Sequence, residues 1–236
     1  MTFKRFYTLV HTKPQGEGFG IFLDDRPVRT RMGNLLCAPN RTIADEIVRE
    51  WADQKDKVLP DTMPFTQILN TRIDRVTRGR TAMTAALLKY LDTDLICYPA
   101  PEPEELREAQ NRSWSPFTEW FETAFGHPLK ITAGLRAVSQ PEEVQASVLN
   151  KVEAMNDDSF TILQWVTAMA GSIVMALGFM DRAFNAGDIL AARFVEEDFK
   201  EEIYDADKYG SDPQIESTRN QMEKDLTAAQ KYLEML

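Results

Sequence analysis

The stretch Phe160–Met180, FTILQWVTAMAGSIVMALGFM, contains no charged residue. At a rise of about 1.5 Å per residue, a helix of this length would cross a lipid bilayer. Two folds are therefore open, a membrane anchor or a helix buried at the centre of a globular protein. Thr161, Gln164, Thr167 and Ser172 dilute the hydrophobicity, and the segments on either side carry apolar stripes that need a surface to pack on. The stretch is read as one continuous central helix of a soluble, non-membrane-spanning bundle.

Moving outward, helical periodicity continues on both sides. Downstream lie a segment from Ile189 to Tyr204 and a last helix whose narrow stripe is Ile215, Met222, Leu226, Ala229 and Leu233. Upstream come Val144, Val148, Val152 and Met155, then Leu106, Ala109, Trp114, Phe117 and Phe121 behind the PAPEP loop, then Ala82 to Leu91. Pro116 is expected to break the Leu106–Phe121 run, with Ser115 capping the second piece. Phe65, Ile68, Leu69, Ile73 and Val76 form a further stripe after Pro60 and Pro64. Ile43, Ala44, Ile47, Val48 and Trp51 form another, capped by Asn40 or Thr42.

Before Asn40 the period changes. FKRFYTLV alternates, GFGIFL is bounded by glycines, and DDRP and RMGN are turn signals between apolar runs, so the first forty residues read as a meander of short strands. Gly16, Gly18 and Gly20 lack the spacing of a dinucleotide fingerprint and are turn chemistry. The expected fold is α+β. A small N-terminal mainly β domain with a covering helix occupies residues 1–72, and a larger all-α helical domain occupies 73–236.

The 236 residues carry a formal net charge of -10, which argues against nucleic acid as a partner. Cys37 and Cys97 sit among apolar neighbours, far apart, and read as small buried hydrophobes in a reducing compartment. MTFKRFYTLV has the features of neither a signal peptide nor a transit segment. The chain is expected to be a bacterial cytoplasmic protein, or a mitochondrial matrix protein in processed form.

An enzyme needs a constellation of catalytic groups, and its ingredients are thin. His11 and His127 have no cysteine or carboxylate at metal-ligand spacing, and there is no serine elbow or phosphate-binding loop. Asp92 and Asp94, in KYLDTDLICYP, could hold a divalent cation, which would make the chain a metal-dependent hydrolase. The better reading is that a helix ends near Leu91 and one of these side chains caps the next element. No cofactor, metal or catalytic residue is expected.

The acidic segment VEEDFKEEIYDAD, from Val195 to Asp207, is more informative. At about 100° per residue, Glu196 falls among Ile189, Ala192, Phe199 and Ile203, with Glu197 one step round. A carboxylate in an apolar stripe must find an internal arginine, sit at a rim, or await a partner. Arg72, Arg75, Arg112 and Arg193 are candidates for the internal pair.

These pieces resemble a known family, the assembly chaperones that bind the alpha subunit of the catalytic sector of F-type ATP synthase. The resemblance runs through RPVRTRMGNLLCAPNRTIADEIVREWADQ, VLPDTMPFTQILNTRIDRV, YLDTDLICYPAPEPEELREAQNRSWSPFTEW and VEEDFKEE, covering roughly Arg26 to Tyr204. Thr93–Tyr98 meets the family's Thr-Asp-Leu-(Leu/Ile)-Cys-Tyr pattern, and Gln110 with Trp114 meets its Gln-x-x-x-Trp pattern. The family usually has Trp-Asp-Pro where this chain has Trp114-Ser115-Pro116. It usually has an aromatic followed by Gln, and a later Trp-Gly, where this chain has Phe199-Lys200 and then Tyr204. The resemblance implies a non-catalytic chaperone that holds the unassembled alpha subunit, shields its interface and yields it to the beta subunit. Glu196, Glu197, Phe199 and Lys200 are the expected partner-binding residues; Asp92, Asp94 and Trp114 are expected to be structural. A generic helical adaptor with another partner shares every feature read from the residues themselves.

Overall fold

The structure is a computed structural model that describes residues 3–134, 136–203 and 212–236. It divides into two compact units. The first takes residues up to 80 together with 156–162 and 231–236, and the second takes 81–155 and 163–230.

In the first unit, β1 (Phe3–Lys4) pairs with β6 (Lys57–Val58). A separate antiparallel sheet is built on β3 (Gly18–Leu23), which pairs with β2 (Val10–Gln15), β4 (Arg26–Pro27) and β5 (Cys37–Ala38). Gly16 has a φ of 59° in the two-residue turn joining β2 to β3, the left-handed conformation such a hairpin demands. At Gly18 a Cβ would stand 2.3 Å from the Ala38 carbonyl oxygen, so only glycine lets β5 approach this closely. Of the three glycines expected to be turn chemistry, only Gly16 lies in the turn; Gly18 and Gly20 are paired residues of β3.

Helix α1 (Arg41–Ala52) covers this sheet, and Asn40 caps it by accepting from Ile43 N at 2.9 Å. Ile43, Ala44, Ile47 and Trp51 are buried, as are Ile21, Leu23, Leu36 and Ala38 of the β layer. Helix α2 (Pro64–Thr71) starts on Pro64 and is capped from a distance. The Glu50 carboxylate accepts from Phe65 N at 2.6 Å and Thr66 N at 2.8 Å. Burial outweighs those bonds and pushes Glu50 up to about 7. A π-helical turn at Arg72–Val76 leads into α3 (Thr77–Leu88).

The second unit is helical: α4 (Glu104–Phe125), α5 (Glu142–Glu153), most of α6 (Asp157–Ala170), α7 (Ile173–Met180), α8 (Ala186–Arg193), α9 (Val195–Ile203) and most of α10 (Pro213–Glu234). Three expectations need correction. The Phe160–Met180 stretch is two helices, α6 and α7, because Gly171 adopts a φ of 68° and Ser172 then caps α7 through Met175 N at 3.0 Å. Among the described residues, no helix is long and apolar enough to cross a membrane. Conversely, Pro116 does not break α4; both it and Arg112, whose carbonyl it leaves without an intrahelical donor, are exposed, so water can satisfy that carbonyl. The segment expected to run as one helix from Ile189 is divided at Phe194 into α8 and α9.

Both cysteines are free, Cys37 half-buried and Cys97 buried, and burial pushes both thiols up. They serve as packing groups.

Candidate functional site

Helix α4 packs against α7, α8 and α9, and two of its side chains reach the last pair. Trp114 is buried and donates its indole N–H to the Ala192 carbonyl at 2.9 Å. That carbonyl lies in the last turn of α8, where helix oxygens lack intrahelical donors. One turn earlier, Gln110 is fully buried. Its Oε1 accepts from Ala100 N at 2.6 Å and its Nε2 donates to Glu196 Oε1 at 2.7 Å. The Gln-x-x-x-Trp spacing puts both side chains on one face of α4, so a single helical turn holds the end of α8 and the start of α9.

Glu196 is thus hydrogen-bonded to a neutral amide. Glu197 reaches Arg193 at 3.5 Å through Oε1, while its Oε2 is buried with no hydrogen-bond partner. Of the other arginines named as internal partners, Arg72 pairs with Asp158 and Arg112 with Glu108, and Arg75 is exposed. Asp198 pairs with Arg219, whose guanidinium lies 4.7 Å from the Phe194 ring centroid. No residue of α9 is fully buried. Phe199 is half-buried, Lys200 and Glu202 are exposed, and Ile203 is 60% exposed. Tyr204 and the acidic residues through Asp207 lie outside the described residues.

Asp92 and Asp94 serve different neighbours. The Asp94 carboxylate is fully buried and accepts from Ile96 N at 3.3 Å and Val174 N at 3.1 Å. Burial pushes it up to about 6, against the bonds from Ser172, Val174, Ile96 and Ile173. It therefore caps both the 3-10 turn Leu95–Cys97 and α7. Asp92 instead accepts from Gln140 N at 2.9 Å, and its carbonyl takes the Tyr98 hydroxyl, which in turn accepts from Val138 N at 2.9 Å. Among the described residues, no group of three His, Cys, Asp or Glu is placed to hold a metal ion.

The sequence reading passed over three polar anchors. Ser172 had a local signal, since a glycine followed by serine is how one helix ends and another begins. Gln140, buried and bridging Lys130 N and O at 2.9 and 3.0 Å, had none. Nor did Glu50, whose bonds to α2 span 15 and 16 residues of chain.

The architecture is a β layer with a covering helix, followed by helices whose buried polar side chains hold one another. Comparison with known proteins places it in a family. The chain is similar over 98% of its length, with a TM-score of 0.85 and 27% identity, to the structure of Atp12 from Paracoccus denitrificans, covering 97% of that chain. It is similar over 99% of its length, with a TM-score of 0.88 and 30% identity, to the Atu1473 protein of Agrobacterium tumefaciens, covering 86% of that chain. The mitochondrial protein atp12 of Schizosaccharomyces pombe is 25% identical over 197 residues, 78% of this chain and 68% of its own. The model of the ATP12 chaperone protein family matches residues 4–122. The chain belongs to the ATP12 chaperone family, which is the family of ATP synthase assembly chaperones that its sequence resembles, and it is not an enzyme.

Proposed function

We propose that this chaperone binds the unassembled alpha subunit of the catalytic sector of F-type ATP synthase, shields its exposed interface from aggregation, and releases it to the beta subunit. The contact surface is α9, with Glu196, Glu197, Phe199 and Lys200 at or beside it. One observation carries the reading: α9 has no fully buried residue although it holds Phe199 and Ile203, and the Gln110–Glu196 bond ties its first turn to α4. A helix anchored at one end, with apolar residues left partly in solvent among carboxylates, is built to be covered by something else. A subunit destined for a ring exposes large apolar surfaces before assembly, and these aggregate. A charged rim lets the chaperone find that surface quickly and still give it up to the true neighbour. The compartment is that of the client, the bacterial cytoplasm or the mitochondrial matrix.

The test is light scattering of aggregating alpha subunit in the presence of wild-type chaperone or the Glu196→Gln, Glu197→Gln variant, each first shown to be folded by circular dichroism. The folded variant should lose most of its protection. A folded variant that protects as well as wild type would remove α9 from the client surface. Protection by neither, with no complex on gel filtration, would remove the client.

A further inference from the structure

The hairpin from Val28 to Leu36 turns at Thr30–Asn34, closed by Thr30 N to Asn34 O at 2.8 Å and Gly33 N to Thr30 O at 2.9 Å. The turn is seated on one carboxylate in the π-helical turn after α2. Asp74 accepts from Thr30 Oγ1 at 2.6 Å, Asn34 Nδ2 at 2.8 Å and Met32 N at 3.2 Å. Burial acts to raise Asp74, but these bonds and the Arg78 charge outweigh it and hold the group low. Its charge is thereby committed to the backbone and side chains of the turn.

Four arginines lie within or next to these segments in sequence, Arg29 and Arg31 on the hairpin and Arg75 and Arg78 at and just after the π-helical turn. Arg29 donates to the Gly33 carbonyl at 2.7 Å and Arg78 to Asn34 Oδ1 at 3.2 Å, which fixes both guanidinium groups against the turn. Arg31 and Arg75 are exposed and make no hydrogen bond or ion pair among the described residues. Met32, at the tip between them in sequence, is 58% exposed. A chain with a net charge of -10 therefore carries a turn closed by hydrogen bonds and seated on Asp74, with Arg29 and Arg31 on its hairpin, Arg75 and Arg78 on the segment that seats it, and an exposed methionine at its tip.

We propose that this arginine-lined turn is an interaction surface that takes an acidic segment of a protein partner, with Met32 covering an apolar residue between the paired carboxylates. The inference goes beyond the client surface on α9 and stands without it. Three features favour an acidic protein segment. Guanidinium groups pair bidentately with carboxylates, and here two of the four are pre-oriented by the turn, which lowers the ordering cost of binding. The exposed methionine suits a side chain and has no use for a small anion. Nucleic acid would need an extended basic stripe, whereas the first unit as a whole has 15 Lys and Arg against 13 Asp and Glu.

The probe is a fluorescein-labelled peptide of alternating Asp and Glu around a central leucine, titrated with the full chain and read by fluorescence anisotropy. Wild type should bind, more weakly as salt rises from about 50 to about 200 mM. Arg31→Glu, Arg75→Glu should weaken binding at least about tenfold and Met32→Ser several-fold, both with unchanged circular dichroism. The control Lys89→Glu, Lys224→Glu, which makes the same charge change on exposed positions of the second unit, should bind as wild type does. The proposal falls if wild type does not bind, if the control loses as much as the arginine variant, or if inorganic phosphate at matched ionic strength displaces the peptide. It also falls if sedimentation shows wild-type self-association that the arginine variant abolishes, since the turn's occupant would then be a second copy. Because the readout needs no alpha subunit, its failure leaves the α9 reading standing, and failure of client protection leaves this one standing.

Discussion

Asp94 holds together two pieces of chain that are 80 residues apart in sequence. Removing its carboxylate by Asp94→Ala leaves at least two buried N–H groups without acceptors, at about 1–3 kcal/mol each, so the unfolding free energy should drop by on the order of 3 kcal/mol. Asp94→Asn keeps one acceptor and removes the titration. Because the folded group sits at about 6, above the about 3.9 of an unfolded chain, the folded state takes up the proton first. The associated stabilisation is complete below about pH 4 and is lost as pH rises through about 6. Urea titrations across that window should show wild type losing stability relative to Asp94→Asn as pH rises; parallel curves would mean that Asp94 does not titrate there. A capping role for Asp94 could be read from its position before a short apolar run. The identity of the capped helix could not, since nothing local links Asp94 to Val174. The Gln110–Glu196 bond, between residues 86 apart, was hidden for the same reason: the two residues stood out separately, and the pairing is a property of packing.

At the scale of elements, periodicity located nearly every helix but misplaced their ends in two opposite ways. In an uncharged run every face is apolar, so the stripe gives no sign when the helix axis changes, and α6 and α7 merged into one in the sequence reading. The break is carried by Gly171 and Ser172 alone. Gly171→Ala puts a side chain into a left-handed conformation with ordinary space around it, the nearest atom being Leu95 Cβ at 3.9 Å, so its cost should be the conformational one, about 1–2 kcal/mol. Ser172→Ala removes the cap on Met175 N and a donor to Asp94, and should cost about 0.5–2 kcal/mol. Thermal melts of the two variants test this; a Gly171→Ala protein as stable as wild type would show that the turn has another way to form. Pro116 is the opposite case, because the effect of a helix-internal proline depends on which face it occupies, and local sequence does not fix that face. On the solvent face the orphaned carbonyl has water, and the α4 side chains that matter, Gln110, Trp114, Phe117 and Phe121, stay in one continuous stripe.

Across the whole molecule, charge is unevenly shared. The first unit holds 15 of the 27 basic and 13 of the 37 acidic residues, for a net of +2, which leaves -12 on the helical unit that carries α9. The fold class was legible because strand alternation gives way to helical stripes at one point in the sequence; this distribution was not, because contacts also bring 156–162 and 231–236 into the first unit. If α9 meets the alpha subunit, a field of this sign should steer encounter, and steering is a property of the association rate. Glu196 is bonded to Gln110 inside the fold and half-buried, so its effect should be local and appear in how long the complex lasts. The two contributions can be separated by surface-immobilised kinetics with purified alpha subunit. Raising salt from about 50 to about 500 mM should slow association by about tenfold or more with little change in dissociation, whereas Glu196→Gln should speed dissociation several-fold and leave the salt dependence of association intact. Association that ignores salt would mean that apolar contact alone drives recognition, and the acidic helical unit would then need a different explanation.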